Sequence, residues 1–387
     1  MPETQVVLRN SERKLFKECQ WKWEREYVDR MKLNREESVA LWFGTGIHLA
    51  MEKYYVPGRE RGIDPRETFE QYVLDSDAEM RYVRTHDTLG DFDEAVAALE
   101  LGTDMLTGYL EEYGGDPWMD VIAAEQDFQV TLPYREAVLL QEDSPFDVTL
   151  KDERAIVVGS IDLVFRDTRD GSIWLKDFKT AKALGTMNTQ FLPMDDQAGM
   201  YCAVAQKVLR SKGLIGEKEK VSGIQYDYLA KRKGDTRPKN AEGMATNKPT
   251  KQHYVDALMR HDPELDEAKI KRMKVAELEV ECEDAGLTVL GDPSKQQPQP
   301  RFERKNVRRT NAKNVNQLRR VQDDLTSMSL IRNNVVRATK TTGTHCAYCP
   351  FLEICQLDED NKDWSQMAQD VYTTWDPYES HRKEITQ

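Results

Sequence analysis

The chain contains no run of about 18 consecutive apolar residues, which excludes an ordinary membrane-spanning helix. Its opening, MPETQVVLRN, has neither the basic start nor the apolar stretch of a secretion signal, so a cytoplasmic location is expected. Cysteine is scarce, with six residues in 387. In a chain without an export signal these read as thiols or metal ligands rather than as a disulfide framework. The G-x-x-x-x-G-K-(S/T) phosphate loop is missing, which argues against ATP-driven translocation by this chain. Positive net charge is missing too: the formal value is -13, and an acidic body repels nucleic acid at long range.

That charge is unevenly spread. Residues 231–251 carry seven Lys or Arg against two acids, and residues 301–340 carry eleven against three. Acids concentrate in two helical stretches, residues 60–112 and 261–284, so the polarity suits a protein with a basic groove. With 39% hydrophobic residues the chain has material for a sizeable core.

Patterning divides the sequence into four segments. Residues 1–118 read as helical, with Ser11 as a helix cap and a helix near 41–55 that places His48 and Glu52 four apart on one face. Residues 119–230 form an α/β core. Three strands are expected in MDVIAAEQDFQVTL, AIVVGSIDLVFRD and SIWLKDFKT, the last two joined at an Asp170-Gly171 turn, followed by a helix over 195–211 and a strand over 221–229. Residues 231–340 read as a basic loop, an acidic helical piece, a linker over 291–302 and a basic helix. Residues 341–387 hold a cysteine cluster and a polar tail.

The hairpin would set Asp162 beside Asp177 and Lys179. Alternation puts Ile173, Leu175, Asp177 and Lys179 on one face of their strand, with Trp174, Lys176 and Phe178 on the other. Charges sharing a face with core residues are costly unless paired, and a divalent cation held by two carboxylates would pair them. Phosphodiester hydrolysis needs such a cation together with a positive side chain near the developing charge. By itself, an Asp-x-Lys on a surface hairpin is an ordinary pair of exposed charges.

The ordered set Gly46-Ile47-His48, Gly159-Ser160-Ile161-Asp162, Asp177-Phe178-Lys179-Thr180 and Gln197-x-x-x-Tyr201 resembles the RecB-like branch of the PD-(D/E)XK nucleases. The resemblance implies a restriction-endonuclease-type core, a mixed central sheet flanked by helices. It makes Asp162 and Asp177 ligands of Mg²⁺ or Mn²⁺, with His48 and the Phe178 carbonyl as further ligands and Lys179 as the catalytic lysine. Gln197 and Tyr201, one helical turn apart, become a substrate-positioning pair. Glu125 on the preceding strand either faces the site or forms a strand salt bridge, and Glu52 either faces it or, as a helix-face carboxylate, meets water.

Near the C-terminus stand Cys346, Cys349 and Cys355, and Cys19 lies more than 300 residues upstream. Four thiolates suit either a structural zinc or an iron–sulfur cluster. Cys202 and Cys282, in helical contexts, read as buried thiols. The spacing C, then C-x-x-C-x5-C after the nuclease motifs, resembles the 4Fe-4S nucleases of this superfamily, the AddB subunits and the CRISPR-associated RecB-like exonucleases. The resemblance implies a C-terminal iron–sulfur module that staples the two ends of the chain, with structural Zn²⁺ as the alternative.

Contacts to DNA are expected from Lys231, Arg232, Lys233 and Arg237 in one basic stretch and from Arg301, Arg304, Arg308 and Arg309 in the other. The reading is thus a metal-dependent single-strand exonuclease of recombination, repair or phage DNA processing, in the cytosol of a bacterium or of a phage-infected cell. Any helicase or recombinase partner would be a separate chain. The alternative is a DNA-binding scaffold subunit with an iron–sulfur or zinc centre.

Overall fold

The computed structural model describes residues 6–33, 39–84, 92–139, 148–185 and 190–379. Its spine is a long antiparallel pair, β3 (Met119–Leu139) and β4 (Val148–Asp167). Phe128, Val130, Leu132 and Tyr134 alternate with exposed positions, so one face of β3 is buried along most of its length. Both strands run beyond their expected ends, β3 by seven residues past Leu132. Pro133 and the charges that follow disguise this outer half, which helix α10 (Asn311–Arg332) covers: Ser329 and Asn333 hydrogen-bond the backbone of Ala137.

The opposite edge of β4 is shared. β1 (Val7–Leu8) pairs in parallel at Ile156 and Val157, and β5 (Ile173–Ala181) pairs antiparallel at Leu163–Arg166 only. Beyond Lys176 the ladder between β4 and β5 ends, and β5 continues in parallel alongside β6 (Val221–Ala230). β7 (Phe302–Arg308) completes the sheet antiparallel to β6. Its stretch, expected as a linker end and the start of a basic helix, is thus an edge strand.

Two helical layers enclose the sheet. On one face α3 (Val39–Tyr54), α4 (Pro65–Arg84) and α5 (Phe92–Tyr113) pack against Leu163, Phe165, Trp174 and Phe178. Gly46 lets α3 approach α4 closely, since a Cβ there would meet the Tyr72 and Phe69 rings at 2.6–2.9 Å. On the other face α1 (Asn10–Glu18), α6 (Asp196–Ser211) and α10 cover Ile161, Val164, Ile173 and Leu175. Between β6 and β7, α7 (Lys251–His261), α8 (Glu267–Arg272) and α9 (Val275–Asp284) enclose a small core of their own around Tyr254, Leu258, Leu278 and Cys282.

The ends of the chain are tied together. β2 (Met31–Leu33) pairs antiparallel with β8 (Tyr372–Thr374), Trp21 N donates to the Thr339 carbonyl, and Tyr378 OH donates to buried Glu12. The helix α2 (Gln20–Trp23) and its π-helical continuation to Val28 lie at this junction, as do α11 (Leu352–Glu359) and α12 (Ser365–Val371).

Behind β5, on the α3–α5 side, sits a buried cluster of four charges. Lys176 Nζ lies 2.6 Å from Asp227 and 3.6 Å from Asp116, and Arg304 bridges the same two carboxylates at 2.6–2.8 Å. Tyr55 and Tyr109 donate to Asp116 and Asp227 respectively. Two cations against two anions leave the cluster neutral, the condition under which charges tolerate burial. Arg304, expected as a DNA contact, is instead committed to this cluster, because its strand position points it inward at two acids. Replacing Arg304 by Ala leaves both carboxylates short of a partner, and a loss of about 3–5 kcal/mol in chemical denaturation is expected. A loss under 1 kcal/mol would mean the cluster does not hold β7 in place.

Candidate metal and active site

The site lies where β4 and β5 part. Asp162 sits one residue before the last paired position of β4 and Asp177 one residue after the last of β5. The Phe178 N–H, facing the gap, donates to Asp162 Oδ2 at 2.8 Å, a side chain taking the place of the missing strand partner. The Phe178 carbonyl accepts from His48, which α3 brings over the fork, and His48 Nδ1 lies 3.3 Å from Asp162 Oδ2. Glu125 arrives from β3, and ligand atoms of His48, Glu125 and Asp162 lie within 4.8 Å of one another.

Glu125 has a left-handed backbone, φ 41°, in the middle of a strand. Such a conformation is costly for a residue with a side chain and persists where the surroundings enforce it. Ser160 Oγ donates to its Oε2 at 3.1 Å and holds it toward the fork. Neither the strain nor the serine's contact is visible in the sequence, and both favour the metal-facing option for Glu125 over a strand salt bridge.

On the α6 side of the fork Lys179 Nζ contacts Asp177 at 2.8–3.0 Å and the Gln197 Oε1 at 3.0 Å, while Gln197 Nε2 donates to Asp177 Oδ1 at 2.9 Å. Asp177 Oδ2 is buried, with the Lys179 ammonium 2.8 Å away as its ion-pair partner. Asp195 caps α6 by accepting from Ala198 N, and so fixes the turn that presents Gln197. Tyr201, one turn later, packs edge-on against Phe128, their ring centroids 5.5 Å apart. Gly159 lies beneath those two rings: a Cβ there would come within 2.8 Å of Phe128 and 3.3 Å of Tyr201. The glycine of the Gly159-x-x-Asp162 run thus makes room for the tyrosine of the Gln197-x-x-x-Tyr201 run.

An open cleft of about 670 Å³ gives access, lined by His48, Glu52, Glu125, Phe178, Lys179 and Thr180 among others. Burial, and then the neighbouring Asp177 charge, push the Asp162 carboxyl up to about 8, and burial with Asp162 pushes Glu125 up to about 7. Burial lowers His48, which is therefore neutral and able to act as a ligand near pH 7. Burial works against the charge on Lys179 as well, but the Asp177 carboxylate outweighs it and raises the lysine above its ordinary value. Three carboxylates share too little positive charge, and the donors are carboxylate and carbonyl oxygens with one imidazole. That set fits a hard divalent cation such as Mg²⁺ or Mn²⁺.

At the other end of the molecule Cys19, Cys349 and Cys355 share an apolar cluster with Trp21, Phe351 and Ile354, and Cys346 lies close enough to act on the Cys349 thiol. Burial raises the Cys349 and Cys355 thiols, with Lys22 and Lys340 respectively pulling the other way. Cys202 and Cys282 lie in separate cores.

The expected DNA contacts divide. Besides Arg304, Arg309 is buried and donates to the Pro193 carbonyl, Arg301 pairs with Asp104, and Arg237 pairs with Asp235 while donating to Ser294 and the Gln296 carbonyl. These four act within the protein, because acceptors on distant segments meet them. Lys231 lies over the Phe43 ring and Arg232 is half-buried; Lys233 pairs with Glu100 and Arg308 lies over Trp174, both remaining exposed.

With this geometry in hand, comparison with known proteins gives one result. The family model of the PD-(D/E)XK nuclease superfamily matches residues 10–356, and no curated protein matches the chain.

Because burial and neighbouring carboxylates raise Asp162 to about 8 and Glu125 to about 7 in the metal-free fold, ionising them costs stability. Without metal, the protein should lose stability as pH rises from about 4, the unfolded value, toward 8. Asp162→Asn should remove much of that slope and leave the metal-free variant about 1–3 kcal/mol more stable than wild type at pH 8.5. Denaturation in EDTA at pH 5 and 8.5 checks this, and equal slopes would show that Asp162 titrates normally.

Proposed function

The chain belongs to the PD-(D/E)XK nuclease superfamily, which makes it a metal-dependent nuclease, and we propose that it is a RecB-like exonuclease acting on single-stranded DNA ends. The observation that carries this reading is the convergence of His48, Glu125 and Asp162 within 4.8 Å of one another, beside the Asp177–Lys179 pair.

In this proposal Asp162, Asp177, His48, Glu125 and the Phe178 carbonyl hold Mg²⁺ or Mn²⁺. A bound cation polarises the phosphate and acidifies the attacking water. Lys179 stays protonated, so its role is to place positive charge against the phosphate rather than to take a proton. Gln197 keeps that ammonium aimed by bonding both it and Asp177, and Tyr201 fixes the helix face from which Gln197 reaches. Lys233 and Arg308 remain as candidate phosphate contacts, Lys233 with Lys231 and Arg232 next to it past the end of β6 and Arg308 near the start of that strand. The cysteines Cys19, Cys346, Cys349 and Cys355 hold a 4Fe-4S cluster that closes the junction of the two chain ends. We assign the enzyme to the cytoplasm and to recombination, repair or phage DNA processing, where a separate helicase or recombinase would supply unpaired ends.

End-labelled single strands incubated with Mn²⁺ test the catalytic roles. Asp177→Ala and Lys179→Ala should each cut at least 100-fold more slowly than wild type. Variants that cut as fast as wild type would remove these residues from catalysis, and a wild type that cuts nothing would favour a binding scaffold.

Anaerobic preparations should be brown and hold about four iron and four acid-labile sulfide per chain, both lost in Cys349→Ser. A colourless protein with one zinc per chain would replace the cluster by the alternative metal.

A further inference from the structure

Two tyrosines adjoin the Asp177–Lys179 pair. The parallel register of β5 and β6 sets Asp177 beside Tyr226 and Lys179 beside Tyr228, so both tyrosines share a sheet face with the reacting groups. Neighbouring strands lie about 4.8 Å apart, which places Tyr228 within one nucleotide of a phosphate held at Lys179. Tyr226 is buried and fixed: its hydroxyl donates to Asp195 Oδ1 at 2.7 Å, the carboxylate that caps α6. The half-buried Tyr228 ring stacks on it with centroids 5.9 Å apart and planes inclined by 29°. Burial and the Asp177 charge push the Tyr228 hydroxyl up to about 12, so the ring is uncharged at any working pH.

The turn before α6, tied to Tyr226 through Asp195, exposes two large apolar side chains, Phe191 at 65% and Met194 at 68%. The turn rests on β7, the neighbour of β6, and the Pro193 carbonyl between them is held by Arg309. Single exposed apolar residues are common and need no explanation. Two stand within four positions on a pinned turn that leads directly into Gln197.

We propose that Tyr228, Phe191 and Met194 form a stacking platform for the unpaired base that flanks the scissile phosphate. The proposal rests on the nuclease reading for the position of that phosphate. Any base offers a π-face, so such a platform tolerates sequence, and it requires a base that is free of its duplex neighbours. Selection of single strands then arises from the protein's own surface.

The test measures binding of fluorescein-labelled oligothymidylate in which one abasic residue is walked along the strand, by anisotropy with Ca²⁺ in place of Mn²⁺. At one position the abasic residue should weaken binding to wild type about 5- to 30-fold. Phe191→Ala, whose exposed side chain leaves the core intact, and Tyr228→Ala should lose about the same on the full strand and no more than about 2-fold further on that abasic strand. Phe191→Trp and Tyr228→Phe, which keep a ring, should bind as wild type does. Equal binding of all abasic strands by wild type overturns the proposal, as do variant losses that multiply with the abasic loss or a strand that does not bind. Cleavage of the same strands in Mn²⁺ is scored separately: its absence overturns the nuclease reading, while the base dependence of binding still decides the platform.

Discussion

A single hydrogen bond, from the Phe178 amide to the Asp162 carboxylate, marks the place on which the rest of the site depends. Strands β4 and β5 are hydrogen-bonded for four residue pairs and then diverge. Divergence strips backbone groups of their partners, and the cost is met by a side chain on one side and by an imidazole on the other. The gap also sets two carboxylates across from each other with no strand between them. Had the ladder continued, Asp162 would have faced a paired backbone and the Phe178 carbonyl would have been occupied. The fork is thus both the defect in the sheet and the reason acids can gather there.

The two faces of β5 show how electrostatics divides labour over successive residues. Lys176, on the α3–α5 face, is fully buried and balanced by Asp227 and Asp116, with Arg304 completing a neutral set. Asp177 and Lys179, on the other face, are left with a surplus of carboxylate around them. One face is electrically finished without help from solvent or metal; the other is electrically incomplete. The first anchors the strand so that the second need not relax to satisfy itself.

The residues that gather at the fork were legible because their order along the chain is distinctive and because strand alternation sorts residues 173–179 correctly between the two faces. The helix carrying Gln197 and Tyr201 was readable for the same reason. Arg304 was misread because its partners, Asp116 and Asp227, stand far from it in sequence, and a run of cations looks the same whether it meets DNA or buried acids. Glu125 could only be held open, since its left-handed backbone is imposed by the surrounding sheet and leaves no mark on local pattern. The outer half of β3 was missed because its burial comes from α10, which follows some 180 residues later. Local chemistry was therefore readable, and pairing across long sequence separations was not.

The helical insertion between β6 and β7 enters and leaves at one point. Thr246 bridges to Pro293, and Asn247 N donates to the Asp292 carbonyl, so its two ends are stitched side by side before the helices begin. A piece with joined ends and a private core places no demand on the register of the strands it interrupts. Mechanically it is a cassette: its fold can loosen or tighten while β6 and β7 stay paired, and the fork one strand away is insulated from the change.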